Sequence, residues 1–493
     1  MDALSILTKT FKFEKFRDDQ EEIIESIFDS DNKGILTVMP TGAGKSILYQ
    51  LPALLMDGLT IVISPLVSLM KDQVDFLKSK GIMAEFYNSS LSTLEKRNIE
   101  FALCKQQLKL LYIAPERFSD SNFFNALKLT NKIGLFAVDE SHCISSFGHD
   151  FRPAYRELSK IIEFLEPKQI IALTATATKR VQKDICNQLN IPNAKKYIKG
   201  FYRPDLKLVI ESCSNANKID RIIDKIVFHI KNKEMTGIVY TPTRKKAEEL
   251  VDELKKENIP TILYHAGLSD KLREKTQSDW FANGGIVIAT VAFGMGINKS
   301  DVRFVIHAGM PSSIENYYQE IGRASRDGKG ATCTIFFNER NDINLQKFFI
   351  DMSYPSRYNI SNFWEWCCKA ADKTNMIYKT QKEMGKLCSS FMKEHVISGC
   401  ISKLKENKFI ETLGTGKYKI EVLKNINEFN FQQLEEKRRA KMDTMFEMSN
   451  FLTNTSECRM LQILHYFDDY SHEKECLNCD ICSRKLRKSK PIY

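Results

Sequence analysis

Short apolar runs recur through the first two thirds of this chain, each four or five residues long and each followed by a longer stretch of helical periodicity. In residues 1–200 they are Ile35–Val38, Thr60–Ser64, Leu110–Ile113, Leu135–Val138 and Gln169–Leu173. Runs of this length, bounded by turn residues, predict buried strands. Their alternation with helices predicts a parallel sheet covered on both faces. The pattern resumes after Phe201-Tyr202-Arg203-Pro204, with runs at Gly237–Tyr240, Thr261–Tyr264, Gly285–Ala289 and Phe304–His307. It stops near residue 345. From Met376 to Val422 the chain reads as helix, turn, helix and two short strands. Val396, Ile397, Cys400, Ile401 and Leu404 form one helical stripe, and Gly414-Thr415-Gly416 marks a hairpin. That order suggests a winged helix, which either reads a DNA groove or only packs. Phe363 and Trp364 are expected to pack. The predicted class is α/β: two tandem parallel-sheet lobes, then a winged-helix-like module and a small helical module around clustered cysteines. The expected boundaries are 1–200, 201–345, 346–430 and 431–483, with a basic tail at 484–493.

Between the first run and the next helix lies Met39-Pro40-Thr41-Gly42-Ala43-Gly44-Lys45-Ser46. A strand, a glycine loop and a helix opening on Lys-Ser is the pattern of a phosphate-binding loop. Glycines let backbone N–H groups approach phosphate oxygens, and the helix N-terminus adds partial positive charge. Thr41, Gly42, Ala43, Gly44, Lys45 and Ser46 are therefore candidate nucleotide contacts, with Lys45 on the outer phosphates and Ser46 on Mg²⁺. Met39 stands where the pattern starts with glycine. Upstream, in Phe11 to Gln20, an aromatic such as Phe13 could stack on adenine while Gln20 meets its edge, with Arg17 nearby. The alternative is an amphipathic helix with Phe13 and Phe16 in the core. At the end of the fourth run, Asp139 can hold Mg²⁺ and Glu140 can deprotonate a water.

Composition changes this picture little. A net charge of +10 over 493 residues permits a polyanion partner without requiring one. Pro52, Asp57, Gly58 and Pro65 interrupt the apolar stretch Leu51 to Met70, so no membrane association is expected. No secretory signal is expected at the N-terminus. Thirteen cysteines, nine scattered and four clustered, argue for a reducing compartment and a metal site. Cys458, Cys476, Cys479 and Cys482 form C-x17-C-x2-C-x2-C, which suits tetrahedral zinc in a closed, structural site. An iron–sulfur cluster is the rival, and the fourth closely spaced cysteine of ferredoxin-type runs is absent.

With Lys45, Asp139 and Glu140 on one predicted sheet, the chain resembles superfamily-two helicases. Cys143-Ile144-Ser145-Ser146-Phe147-Gly148-His149-Asp150-Phe151-Arg152 and the cysteine cluster followed by Arg459-Met460-Leu461 narrow the resemblance to the RecQ DNA helicases. The family usually has tryptophan at Phe147, alanine at Ser141 and glycine at Ser325. The resemblance implies RecA-like lobes with nucleotide between them, and strand contacts by Phe147, His149 and Arg152. It also implies strand-backbone contacts by the Ser64-Pro65 and Ala114-Pro115 turns. The Thr174-Ala175-Thr176-Ala177-Thr178 segment would link hydrolysis to lobe closure, its hydroxyls reaching Asp139 and Glu140. In the second lobe, Gln319, Arg323 and Arg326 are the candidate catalytic groups. Spacing puts both arginines on one helical face, reaching the γ-phosphate. His265 and His307 are expected to be structural.

The implied activity is an ATP-dependent 3′–5′ DNA helicase in DNA repair and recombination, requiring ATP, Mg²⁺ and Zn²⁺. Its implied substrates are single-stranded and forked or tailed duplex DNA. A single-stranded-DNA-binding protein is a candidate partner, and a cytoplasmic monomer is expected. Two alternatives are an RNA-dependent ATPase without unwinding and a non-enzymatic DNA-binding scaffold. The winged-helix-like stretch precedes the zinc motif, whereas the family usually has it after. The resemblance is to a short form, expected to lack the extra C-terminal helical domain of many members.

Overall fold

The structure is a computed structural model that describes residues 2–17, 19–29, 32–65, 67–129, 132–145, 152–198, 200–294 and 299–488. Its first sheet comprises β1 (Gly34–Val38), β2 (Leu59–Ile63), β3 (Ala84–Tyr87), β4 (Leu110–Ile113), β5 (Ile133–Val138), β6 (Gln169–Thr174) and β7 (Lys195–Ile198). The order is β3-β4-β2-β5-β6-β1-β7, parallel throughout. β1, β2, β4, β5 and β6 are buried along their whole length, as strands covered on both faces must be. The two strands the apolar pattern did not announce are the edges. β7 begins with exposed Lys195 and Lys196, and charge on an edge strand discourages further pairing.

The second sheet comprises β8 (Leu206–Ser212), β9 (Gly237–Tyr240), β10 (Thr261–Tyr264), β11 (Ile286–Ala289), β12 (Phe304–His307) and β13 (Ala331–Phe337). Its order is β10-β11-β9-β12-β13-β8. The pairs from β10 to β13 are parallel. β8 runs parallel to β13, since Asp205 bonds Ala331 at one end and Cys213 bonds Phe337 at the other. Among the described residues no helix is long and apolar enough to cross a membrane.

The chain divides into two compact units. One holds both sheets with residues 454–493. The other holds 212–215 and 337–453. The second unit has a three-stranded antiparallel sheet of β14 (Met376–Tyr378), β15 (Ile410–Gly414) and β16 (Lys417–Ile420), ordered β14-β16-β15. Helices Gln381–Leu387 and Ile397–Glu406 complete a winged-helix arrangement, with one strand more than the pattern showed. Val396, Ile397, Cys400, Ile401 and Leu404 are buried, and so are Phe363 and Trp364. This module sits between two long helices, Glu339–Ser353 and Phe431–Thr453, which pack together. Arg438 on the second helix reaches Asp351 (2.6 Å) and the Tyr354 carbonyl (2.7 Å).

Candidate nucleotide site and metal centre

The loop after β1 is built for close approach. Gly42 (φ +90°) and Gly44 (φ +78°) are both left-handed, where other residues are strained. Met39 uses the pattern's first glycine position for core packing: its side chain is buried and its N–H donates to the Thr174 carbonyl (3.1 Å). The Lys45 ammonium folds back onto the loop, donating to the carbonyls of Met39 (3.0 Å) and Pro40 (3.2 Å). Burial pushes its pKa down, Glu140 and Asp139 pull it back up, and Arg326 adds to the lowering. Ser46 leads into helix Ile47–Leu55.

The upstream segment braces this loop. The Gln20 amide donates to the carbonyls of Ala43 (3.0 Å) and Gly44 (3.3 Å) and accepts from the Arg17 N–H (3.0 Å). The Arg17 guanidinium donates to the Gly42 carbonyl (3.3 Å). Residues 12–17 are not helical; Phe16 packs against the core, as the alternative expected, while Phe13 is exposed.

At the end of β5 the Asp139 N–H donates to the Ile63 carbonyl (2.9 Å), and the Tyr155 hydroxyl donates to the Asp139 carbonyl (3.4 Å). Glu140 is left-handed (φ 47°), a costly backbone state for a side chain of this size. Its N–H donates to Asp139 Oδ1 (2.9 Å). Burial, then repulsion from Glu140, pushes the Asp139 carboxyl up to about 7. Burial also acts to raise Glu140, but the His142 contact (3.3 Å), Lys45 and Arg323 outweigh it and hold that carboxyl low. The threonine hydroxyls go elsewhere than expected. Thr174 Oγ1 meets His142 Nδ1 (2.9 Å), Thr176 Oγ1 accepts from the Gln319 amide (3.2 Å), and Thr178 caps helix Lys179–Gln188.

In the second sheet's lobe, helix Ile314–Ile321 ends before the arginines. Arg323 and Arg326 therefore share a turn, not a helical face. The turn includes left-handed Ser325 (φ 54°), a conformation in which glycine is unstrained. The Ser325 hydroxyl accepts from the Gly330 N–H (2.8 Å). Arg326 lies over the phosphate loop: its Cγ, Cδ and Nε stand 3.6, 3.7 and 3.8 Å from where a Cβ on Gly42 would be. Gly322 stands equally close to Thr41. Burial, then Arg323 and Arg203, lower the Arg326 pKa to about 10. Arg323 donates to the Gly294 carbonyl. Arg203 braces the turn, binding Asp205 (2.9 and 2.7 Å) and the Ala324 carbonyl (3.0 Å).

Thr41 to Ser46, Asp139, Glu140, Gln319, Arg323 and Arg326 thus converge on one crevice. Phe147 and His149 lie outside the described residues. Arg152 sits at the base of its loop, its N–H on the Cys143 carbonyl (2.9 Å) and its guanidinium on the Pro65 carbonyl (3.0 Å). His142, Tyr155 and Arg203 belong to the site and were not singled out in the sequence. The Glu-x-His spacing could have flagged His142, but nothing local marks the others. His307 and His265 do have partners, in Glu320 (2.7 Å) and Glu248 (3.3 Å).

The four cysteines form the second site. Their sulfur atoms all lie within 4.8 Å of one another. Tetrahedral zinc with bonds of about 2.3 Å holds its thiolates roughly 3.8 Å apart, so the set fits that ion. Backbone N–H groups of Cys476, Cys479 and Cys482 point at the sulfurs of Cys458 (3.3 Å), Cys476 (3.3 Å) and Cys479 (3.5 Å). Cys458 caps helix Arg459–Tyr466 and Cys482 lies in helix Asp480–Lys488. Arg459, only 1% exposed, ties these helices together through Asp480 (3.1 and 3.3 Å).

Comparison with known proteins places these features in company. The DEAD/DEAH box helicase model matches residues 17–185, the helicase conserved C-terminal domain model matches 217–328, and the RecQ zinc-binding model matches 418–483. The "ATP-dependent DNA helicase RecQ" of Bacillus subtilis is 45% identical over 354 residues, covering 71% of this chain and 58% of that protein. The "Probable ATP-dependent DNA helicase RecS" of B. subtilis is 34% identical over 481 residues, covering 97% of this chain and 90% of that protein. Among solved structures, S. cerevisiae Dbp5 bound to RNA and ADP BeF3 superposes with a TM-score of 0.56. It covers 70% of this chain and 90% of that one at 17% identity, a likeness of fold alone. The chain spans little more than half the length of the RecQ relatives it matches, at 55%, 58% and 54%.

Proposed function

The chain belongs to the RecQ family of DNA helicases, and from that premise we propose that it is an ATP-dependent helicase that moves along single-stranded DNA and unwinds duplexes. The observation that carries this reading is the position of Arg326 over Gly42, which brings a cation of one lobe onto the phosphate loop of the other. Lys45 and the loop N–H groups bind the triphosphate. Ser46 and Asp139 would hold Mg²⁺, which when bound neutralises phosphate charge. Glu140, kept ionised by His142, accepts a proton from the attacking water. Arg326, with Arg323 behind it, stabilises charge on the transferring phosphoryl group. Gln319, bonded to Thr176 across the crevice, reports lobe closure to the segment beside the carboxylates. Phe13 stacks on the adenine, and Phe147, His149 and Arg152 contact the strand. Zinc in the Cys458, Cys476, Cys479 and Cys482 site holds its module together.

The 3′–5′ direction, the role in repair and recombination, the monomeric state, the cytoplasmic location and a single-stranded-DNA-binding protein partner follow from the family resemblance. The test is unwinding of duplexes carrying a 3′ or a 5′ tail, with ATPase measured on single-stranded DNA and RNA. The reading expects unwinding of the 3′-tailed substrate and stimulation chiefly by DNA. Stimulation by RNA without unwinding would support the RNA-dependent ATPase instead, and no phosphate release would support the scaffold.

A further inference from the structure

Helix Ile314–Ile321 is where three parts of the first unit meet. Its C-terminal end runs into Arg323 and Arg326, and Gln319 bonds Thr176 in the first lobe. Its N-terminal turn bears on the zinc module. There the Tyr466 hydroxyl donates to Glu315 Oε1 at 2.6 Å. Glu315 is only 6% exposed, and its other carboxylate oxygen has no hydrogen-bond partner among the described residues. The neighbouring Phe467 ring stacks on Phe201 (centroids 4.4 Å) and meets Tyr318 edge-on (5.4 Å). Tyr466 and Phe467 end the helix whose other end is capped by the zinc ligand Cys458.

These contacts form a rigid series. The metal site fixes one end of helix Arg459–Tyr466. Its other end holds Glu315 on the first turn of a helix roughly 12 Å long. The far end of that helix sets the arginine turn. A buried carboxylate relying on one donor is costly to leave unpaired, so losing the hydroxyl shifts the helix toward water. A displacement of about 1 Å at a catalytic group is enough to slow chemistry about a hundredfold.

We propose that Tyr466, acting through Glu315, is a positioning residue for ATP hydrolysis that seats the arginine turn over the phosphate loop. The proposal rests on the helicase reading above. The zinc module then contributes to turnover through this contact, independently of any contact with DNA.

The test compares Tyr466→Phe, Glu315→Gln and Glu315→Leu in the full chain. Tyr466→Phe keeps the ring and removes only the donor. It should lower the kcat for ATP about tenfold, leave KM for ATP within about twofold, leave zinc content unchanged, and lower the melting temperature by no more than about 3 °C. Hydrogen exchange should quicken in residues 314–323 alone. Glu315→Gln keeps an acceptor for Tyr466 and should keep kcat within about twofold, whereas Glu315→Leu should reproduce the loss. The double variant Tyr466→Phe with Glu315→Leu should be no slower than either single one. Unchanged kcat in Tyr466→Phe, with the unaltered chain active, would overturn this proposal alone. A loss accompanied by zinc release, or by a fall in melting temperature of more than about 3 °C, would also overturn it. Absence of turnover in the unaltered chain would overturn the helicase reading and this proposal with it.

Discussion

Set side by side, six strands of the first parallel sheet, β3-β4-β2-β5-β6-β1, match the six of the second, β10-β11-β9-β12-β13-β8, and only the edge strand β7 has no counterpart. The connections do not correspond. After β1 come the left-handed glycines and Lys45; after the matching β8 comes Cys213 to Asn217, with no glycine and no positive φ. After β5 come Asp139 and Glu140; after the matching β12 come Ala308 and Gly309. What both retain is a Ser/Thr-Pro turn, Ser64-Pro65 after β2 and Thr241-Pro242 after β9. One topology is used twice, but only one copy can wrap a triphosphate. The second lobe instead supplies arginines from the β12–β13 connection, the counterpart of the β5–β6 connection that begins with Asp139 and Glu140. The difference teaches that the site is divided by chemistry, with anion-binding backbone and carboxylates on one side and guanidinium groups on the other.

That contrast can be broken experimentally. The largest effect is expected from Lys45→Ala, which should cut ATPase about a thousandfold or more while DNA binding persists. Substantial turnover in a phosphate-release assay would mean that the loop after β1 is not where the hydrolysed triphosphate sits. Chelating the metal should release one zinc per chain and lower the melting temperature by about 5 °C or more. A metal-free chain melting at the same temperature would exclude a structural role for the cysteine cluster.

A third prediction concerns the carboxylate side alone. Because the folded state raises the Asp139 pKa to about 7, ionising it disfavours folding. That cost grows as pH rises from the ordinary carboxylate value and is complete above about 7. Asp139→Asn should therefore stabilise the nucleotide-free chain by about 1–2 kcal/mol at pH 8, less at pH 5, while abolishing turnover. Melting at the two pH values would sharpen the contrast, and equal melting of variant and parent would remove it. The smallest effect is expected on the arginine side. Ser325→Gly relieves a left-handed backbone but loses the acceptor for Gly330, terms of about 1 kcal/mol each. Chemical denaturation should find the two proteins within about 1 kcal/mol.

Legibility in the sequence follows the same division. β1, β2, β4, β5 and β6 were readable because strands buried on both faces need uninterrupted apolar runs. β3 and β7, at the sheet edges, and three-residue β14 lack that requirement and gave no signal. β8 and β13 also went unread: β8 has a single buried face and so a weak pattern, and in β13 Thr332 and Thr334 break the apolar run. In the first lobe the phosphate loop and the carboxylate pair are each a contiguous motif following an apolar run, so their chemistry could be named. The bracing could not: Gln20 meets the loop across more than twenty residues, and Tyr466 meets Glu315 across 151. The helical reading of Arg323 and Arg326 failed because the helix ends at Ile321 and the chain turns left-handed at Ser325, between the two arginines. The bulk of Glu140 concealed another left-handed position, which only the fold's constraints on the end of β5 impose.

The claim that one site is completed from both lobes is tested most directly by the affinity of Arg326→Ala for ADP with a phosphoryl-transfer analogue such as aluminium fluoride. The unaltered protein should bind that combination at least about a hundredfold more tightly than ADP alone, and Arg326→Ala should lose this gain while its ADP affinity stays unchanged. An undiminished gain in Arg326→Ala would show that the guanidinium over the phosphate loop does not stabilise the transferring phosphoryl group, and would contradict the account.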